Sequence, residues 1–230
     1  MYARKPILKF IDIGAGPGYL LDSLSLLMPK FSNLFYGIEL YPPPQEFRTK
    51  HANFKIGSLF DISEKFDAGC CIEVIERLAP DVLRKLIQAL LNVSNVNSIY
   101  YLNSAQPSFV KNIDPGYLDP LNRGHICIYS LIAIKNIFAE FGFTLLPLPG
   151  RDWGFLVELG KFDDADTNVE TLMSRAWNPH PHNLTMLRDN GFGPFMYSAG
   201  IEAARCYYEA YSASQRTEWA LSLQKQLDRC

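Results

Sequence analysis

No apolar stretch in this 230-residue chain is long enough to cross a bilayer as a helix, so no membrane-spanning helix is expected. Cysteine is scarce: five residues stand at 70, 71, 127, 206 and 230, an odd number with no C-x-x-C pair. That pattern offers no disulfide framework and predicts reduced thiols in a cytoplasmic protein. An excess of charge of one sign is also missing. With 22 Lys and Arg against 24 Asp and Glu, the net charge of −2 argues against a general attraction to nucleic acid, although it leaves a local basic patch open. No charged-then-apolar leader, internal repeat or low-complexity tract is visible. What is there is ordinary for a folded globular chain, 48% hydrophobic and 20% charged, and long enough for one large α/β domain with an appendage.

The organising stretch is Phe10-Ile-Asp-Ile-Gly-Ala-Gly-Pro-Gly18. An apolar run over 7–13 reads as a buried strand, and glycines at 14, 16 and 18 read as a turn. Leu20, Leu21, Leu24 and Leu27 then recur at helical spacing until Pro29. Strand, glycine turn and helix open an α/β nucleotide-binding unit, in which backbone N–H groups at the helix start face an anionic ligand. The spacing departs from the dinucleotide fingerprint G-x-G-x-x-G, whose third glycine would fall at Tyr19. A second strand over 33–40 ends on Glu39, 21 residues beyond Gly18, where a carboxylate accepts hydrogen bonds from both hydroxyls of a ribose.

Further strands are expected at 53–57, 65–72 and 97–103, and a hairpin pair at 143–148 and 153–159 around Pro149-Gly150. Helices are expected near Gln45, after Pro80, with a stripe of Val82, Leu83, Leu86, Ile87, Leu90 and Leu91, and after the N-cap Ser130. The segment 104–128 reads as a long loop.

Taken together, Asp12 with Gly14-Ala15-Gly16 and Gly18, the acid Glu39, Phe66-Asp67 leading to Glu73-Val-Ile-Glu-Arg77, and Gly124-His125, Gly142-Phe143 and Trp153 resemble the class I S-adenosylmethionine-dependent methyltransferases, in particular a group acting on small molecules. The resemblance covers about residues 7–160. It implies a Rossmann-like α/β fold with a seven-stranded, mostly parallel sheet and S-adenosylmethionine as cofactor. It implies cofactor contacts at Asp12, Gly14, Ala15, Gly16, Gly18, Glu39, Leu40 (or Tyr41 beside it, against the adenine), Ser58, Leu59 and Glu73, the last near the methionine part. Two departures stand out. The Gly-Asp pair that meets the adenine is Gly57-Ser58 here, leaving Ser58 with the backbone around Leu59, or Asp61, for that contact. The usual histidine after the second acid of E-V-I-E-H is Arg77.

Methyl transfer from a sulfonium needs alignment and exclusion of water more than an acid–base triad. If a base is used, His125 is the candidate, because histidine changes charge near neutral pH; ordering the loop, or capping the next helix, is the competing role. His180 and His182 lie in an irregular segment without a Cys or Glu partner, so no metal site is expected. Sequence markers of cytosine C5 and amino-group nucleic-acid methyltransferases are absent.

The expectation is a methyltransferase domain over 1–160 and a helical C-terminal appendage over 161–230, acting as a lid or an oligomer contact. The stretch 161–170 reads as an acidic linker and 177–194 as irregular. Two final helices are expected, one striped by Ile201, Ala204, Tyr208 and Tyr211, the other opened by Ser212-x-x-Gln215 and striped by Trp219, Leu223 and Leu227. Such stripes bury against the core domain or against a second copy, which makes a homodimer one expected partner beside the small-molecule acceptor. The alternatives are a protein or nucleic-acid methyltransferase, and a non-catalytic cofactor-binding protein with the same fold.

Overall fold

Side chains alternate between two faces along each strand, and both faces here are apolar, so both must be covered. In the computed structural model, which describes residues 2–148, 153–160, 162, 169–189 and 193–228, they are. Seven strands form one sheet: β1 (Phe10–Ile13), β2 (Phe35–Glu39), β3 (Phe54–Ile56), β4 (Phe66–Ile72), β5 (Ser94–Asn103), β6 (Phe143–Pro147) and β7 (Gly154–Leu159). The order is β3-β2-β1-β4-β5-β7-β6. The pairs among β1 to β5 are parallel, and β7 lies antiparallel between β5 and β6. This is the Rossmann-like α/β sheet expected from the resemblance.

One face is covered by α2 (Pro80–Val93) and α4 (Leu131–Ala139). Leu83, Ile87 and Leu90 of α2, and Ile134, Ile137 and Phe138 of α4, pack on Ile11, Tyr100, Leu102, Phe155 and Val157. Pro80 stands in the first turn of α2, and the Ser130 hydroxyl accepts from the Ala133 N–H at 3.2 Å to cap α4, both as expected. On the other face α1 (Tyr19–Leu27) sets Leu21 against Gly37, where a Cβ would lie 2.9 Å from the leucine.

Farther along that second face, Ala68, Ile99, Leu146 and Leu156 are covered by Ala3 and by Leu172 of α5 (Val169–Trp177). The sequence pattern suggests irregular chain over 177–194; there the structure forms α6 (Pro181–Arg188), started by Pro181 with the His180 side chain accepting from the His182 N–H at 3.2 Å. The appendage is tied to the sheet by polar contacts as well. Arg175 donates to buried Glu158 of β7 at 2.8 Å. Asn183 accepts from the Ile7 N–H at 2.8 Å and donates to the Lys5 carbonyl at 3.0 Å.

Other expectations change. Only a single 3-10 turn, Gln45–Phe47, follows the three prolines, because the Thr49 N–H donates to the Pro17 carbonyl at 2.7 Å and draws the segment back to the glycine turn. Strand β5 starts at Ser94 through a register shift, with Asn97 in the left-handed region (φ 60°) that asparagine tolerates. The 104–128 loop contains a short helix, α3 (Pro107–Asn112). The two final helices are one, α7 (Gly193–Leu227), since no glycine or proline interrupts the chain near Ser212. The Pro149-Gly150 turn and the acids at 163, 164 and 166 lie outside the described residues.

Leu172 is 1% exposed. Leu172→Ala should lower stability in urea unfolding by about 2–4 kcal/mol, the cost of a cavity at a leucine site. A loss below about 0.5 kcal/mol would mean that α5 does not cover this face in solution.

Candidate functional site

The parallel strands β1, β2 and β4 end side by side, and the turn after β1 passes over their edge. The Gly14 and Ala15 N–H groups both donate to the Ile38 carbonyl, at 3.0 and 3.1 Å. Gly14 has φ +73°, and a Cβ there would lie 2.4 Å from Val74 Cγ2, so this glycine is required by packing as well as by backbone geometry. Gly16, at φ +54°, is the opposite case: nothing lies within 4 Å of where its Cβ would be. Its bare face opens into the cavity. Gly18 caps α1 in the left-handed conformation.

Glu39 fixes that turn. Its Oε2 accepts from the Gly16 N–H at 2.7 Å and its Oε1 from the Tyr41 N–H at 2.8 Å. Each carboxylate oxygen keeps further lone-pair capacity toward a ligand hydroxyl. The cavity beside it measures about 680 Å³, within the range of small-molecule sites. Of the residues singled out in the sequence, Gly14, Gly16, Glu39, Leu40, Ser58, Leu59 and Glu73 line it. Asp12, Ala15, Gly18 and His125 do not. Ala15 is buried beneath the turn. Val82 of α2 also faces the cavity, which explains why it leaves the core stripe.

Asp12 of β1 is buried, 5% exposed, with the Cys70 thiol donating to it at 3.2 Å. Burial pushes its carboxyl up to about 6, the Cys70 hydrogen bond opposing and the Glu39 charge adding. At the β3 edge, the Asp61 carboxylate accepts from the Ser58 N–H at 2.8 Å, and the Ser58 hydroxyl accepts from the Phe60 N–H at 3.2 Å. Asp61 is thus committed to a capping box. Ser58 and Leu59 face the cavity.

A buried polar cluster stands at the end of β4. Glu73 follows the strand with φ +54°, rare for a side-chain-bearing residue. Its N–H donates to the Asn103 side chain at 2.9 Å, and its carboxylate accepts from the Tyr117 hydroxyl at 2.9 Å. His125 is 5% exposed, its Nδ1 2.9 Å from the Tyr117 carbonyl. That contact puts the Nδ1 proton toward the carbonyl and leaves Nε2 facing Glu76 at 3.7 Å and the Arg77 guanidinium at 3.4 Å. Glu76 is fully buried, and neither carboxylate oxygen has a hydrogen-bond partner among the described residues. Burial pushes it up to about 7, with the Glu73 charge adding and Arg77 opposing.

Glu73, Glu76 and His125 bring three ligand atoms within 4.8 Å of one another, a set able to hold a cation. The Arg77 guanidinium, 4.0 Å from Glu76 and donating to the Glu73 and Arg123 carbonyls, already supplies positive charge there. Sequence reasoning missed Asn103 and Tyr117. Asn103 carried a signal, since it is the last residue of a strand whose edge forms the site. Tyr117 carried none, because its placement depends on the path of a 25-residue loop.

A family model described as a methyltransferase domain matches residues 3–148. Three solved structures share the fold. One is an S-adenosylmethionine-dependent methyltransferase from Clostridium acetobutylicum, 15% identical over 66% of this chain and 84% of that one, with a TM-score of 0.51. The second, from Micromonospora echinaspora, is an amino pentose methyltransferase involved in calicheamicin biosynthesis, solved with SAM bound. It is 13% identical over 68% of this chain and 85% of that one, TM-score 0.52. The third is a sugar N-methyltransferase from Streptoalloteichus, 14% identical over 69% and 82%, TM-score 0.51. No curated protein is significantly similar in sequence. Among the described residues, no helix is long and apolar enough to cross a membrane.

The raised carboxyls carry a pH signature. An acid whose folded value lies above its unfolded one is stabilising when protonated, so stability is highest at low pH within this window. For Glu76 it falls as pH rises from its ordinary 4.5 through about 7. Glu76→Gln should therefore be more stable than the parent at pH 8, by about 1–3 kcal/mol, and nearly equal to it at pH 5. Urea unfolding at the two pH values measures this. An equal offset at both would remove Glu76 titration as its source.

Proposed function

Since the chain belongs to the methyltransferase domain family, we propose that it transfers the methyl group of S-adenosylmethionine to a small-molecule acceptor. The observation that carries this reading is the Glu39–Gly16 contact at the mouth of the cavity. A carboxylate held at a strand end beside an open glycine face fits a ribose, whose two hydroxyls donate to the remaining lone pairs of Glu39. Leu40, Ser58 and Leu59 then flank the adenine, and Glu73 faces the methionine part. Gly14, Ala15 and Gly18 shape the turn, and Asp12 lies in the strand that leads into it. When bound, S-adenosylmethionine supplies a methyl group already activated on a sulfonium sulfur. The chain's own work is to align the two partners and keep water away.

The segment over 104–128 is the proposed acceptor side, and His125 its positioning group: buried, tilted against the Tyr117 ring with centroids 4.4 Å apart, and facing Glu76 rather than open space. Titration calorimetry should detect S-adenosylhomocysteine binding and no binding of NAD. Glu39→Ala should weaken S-adenosylhomocysteine by about 1–3 kcal/mol, the scale of charge-assisted hydrogen bonds. Unchanged affinity in that variant would remove Glu39 from the ribose site, and NAD binding would overturn the cofactor.

For the domains, we infer that 1–160 form the methyltransferase domain and 161–230 its helical extension. A specific observation favours a homodimer through that extension. Tyr208, Tyr211, Trp219, Leu223 and Leu227 are exposed and lie within about half the circumference of α7. Light scattering should give twice the chain mass for the parent and a single chain for Trp219→Glu. A monomeric parent would contradict the pairing.

A further inference from the structure

Glu73 lines the cavity, yet no ion pair among the described residues involves it. Arg77 reaches its backbone carbonyl, at 3.1 Å, rather than its carboxylate. The side-chain partner it does have is neutral: the Tyr117 hydroxyl donates to Oε2 at 2.9 Å. A neutral donor orients a carboxylate without cancelling its charge, so the full negative charge stays available on the cavity wall. The backbone is built to the same end. The left-handed conformation at residue 73 costs energy for any residue with a Cβ, and the Asn103 side chain holds it through the N–H at 2.9 Å.

Tyr117 is itself firmly placed. It is 8% exposed, accepts from the Ala105 N–H at 3.3 Å, packs at a tilt against the His125 ring and meets Phe109 edge-on. Burial pushes its phenol up to about 12, the Ala105 N–H opposing and the Glu76 and Glu73 charges adding, so it remains a donor at every working pH.

Resting on the cofactor reading above, we propose that Tyr117 is a positioning residue that couples the acceptor-side segment to the charged amino-acid end of the cofactor. Through its hydroxyl it aims the Glu73 carboxylate at the cofactor's α-ammonium, while Asn103 fixes the backbone from which that carboxylate projects. Ordering of the 105–125 path and tight holding of the ammonium are then one event. A phenylalanine at 117 keeps the ring packing and deletes only the aiming bond.

Two probes separate this role from a general structural one. S-adenosylhomocysteine carries the ammonium; 5′-methylthioadenosine carries the same nucleoside without the amino-acid end. By calorimetry at pH 7.5, Tyr117→Phe should weaken S-adenosylhomocysteine roughly 10-fold, the scale of a lost hydrogen bond to a charged group, and leave methylthioadenosine within about twofold. In a Glu73→Gln background the same change should add no further selective loss. Equal weakening of both probes would mean that Tyr117 only supports the fold, and would overturn the proposal. So would an unchanged S-adenosylhomocysteine affinity, or a full 10-fold loss that persists in the Glu73→Gln background. Failure of the parent protein to bind either probe would instead overturn the cofactor reading, and this proposal with it.

Discussion

A carboxylate oxygen 2.7 Å from a backbone N–H joins the ends of two neighbouring strands: Glu39 at the end of β2 and Gly16 in the turn after β1. Around this contact the rest of the site takes its place. It holds the turn over the sheet edge, keeps the bare face of Gly16 toward the cavity, and sets the Glu39 carboxylate where a diol can reach it. The contact needs β1 and β2 parallel and in register, with Asp12 opposite Gly37 and Ile13 opposite Ile38. Register in turn needs both faces of the sheet buried, because a one-residue slip would exchange them.

That requirement explains the C-terminal helices. α2 and α4 follow their strands directly and cover one face. The second face has α1 over β2 but, among the described residues of the first 160, no helix over β4 to β7. Leu172 and the lead-in Ala3 fill that position. Arg175 completes it by meeting Glu158 of β7, a fully buried carboxylate that Arg4 also approaches at 3.5 Å and that would be costly to leave without cationic partners. Among the described residues the appendage contributes nothing to the cavity lining. Its first two helices complete the core, while the outer part of α7 leaves Trp219 and Leu227 exposed.

The sequence made some of this legible because some residues have few physical options. Glycines at φ +73° and +54°, a proline at a helix start and an acid at a strand end state their geometry directly. The strands followed from the apolar runs, and the seven-stranded, mostly parallel sheet from the resemblance. What escaped depends on contacts between distant segments. A helix is expected near Gln45, after the prolines, but the bond from Thr49 back to Pro17 spans 32 residues and overrides local preference. The stretch 181–188, expected to be irregular, becomes helical because Asn183 finds partners in the first ten residues of the chain. His125 was visible as a titratable ring; that it faces Glu76 across 3.7 Å, behind the cavity wall, was not.

The central claim is that a nucleoside with a charged amino-acid tail lies between the Gly16 turn and Leu59, its tail toward Glu73. A crystal structure with S-adenosylhomocysteine bound tests it most directly. The account predicts ribose hydroxyls on Glu39, adenine beside Leu40 and Ser58, and the ammonium on the Glu73 carboxylate, with sulfur facing the 104–128 segment. Density for the ligand outside this cavity, or with its ribose away from Glu39, would contradict it.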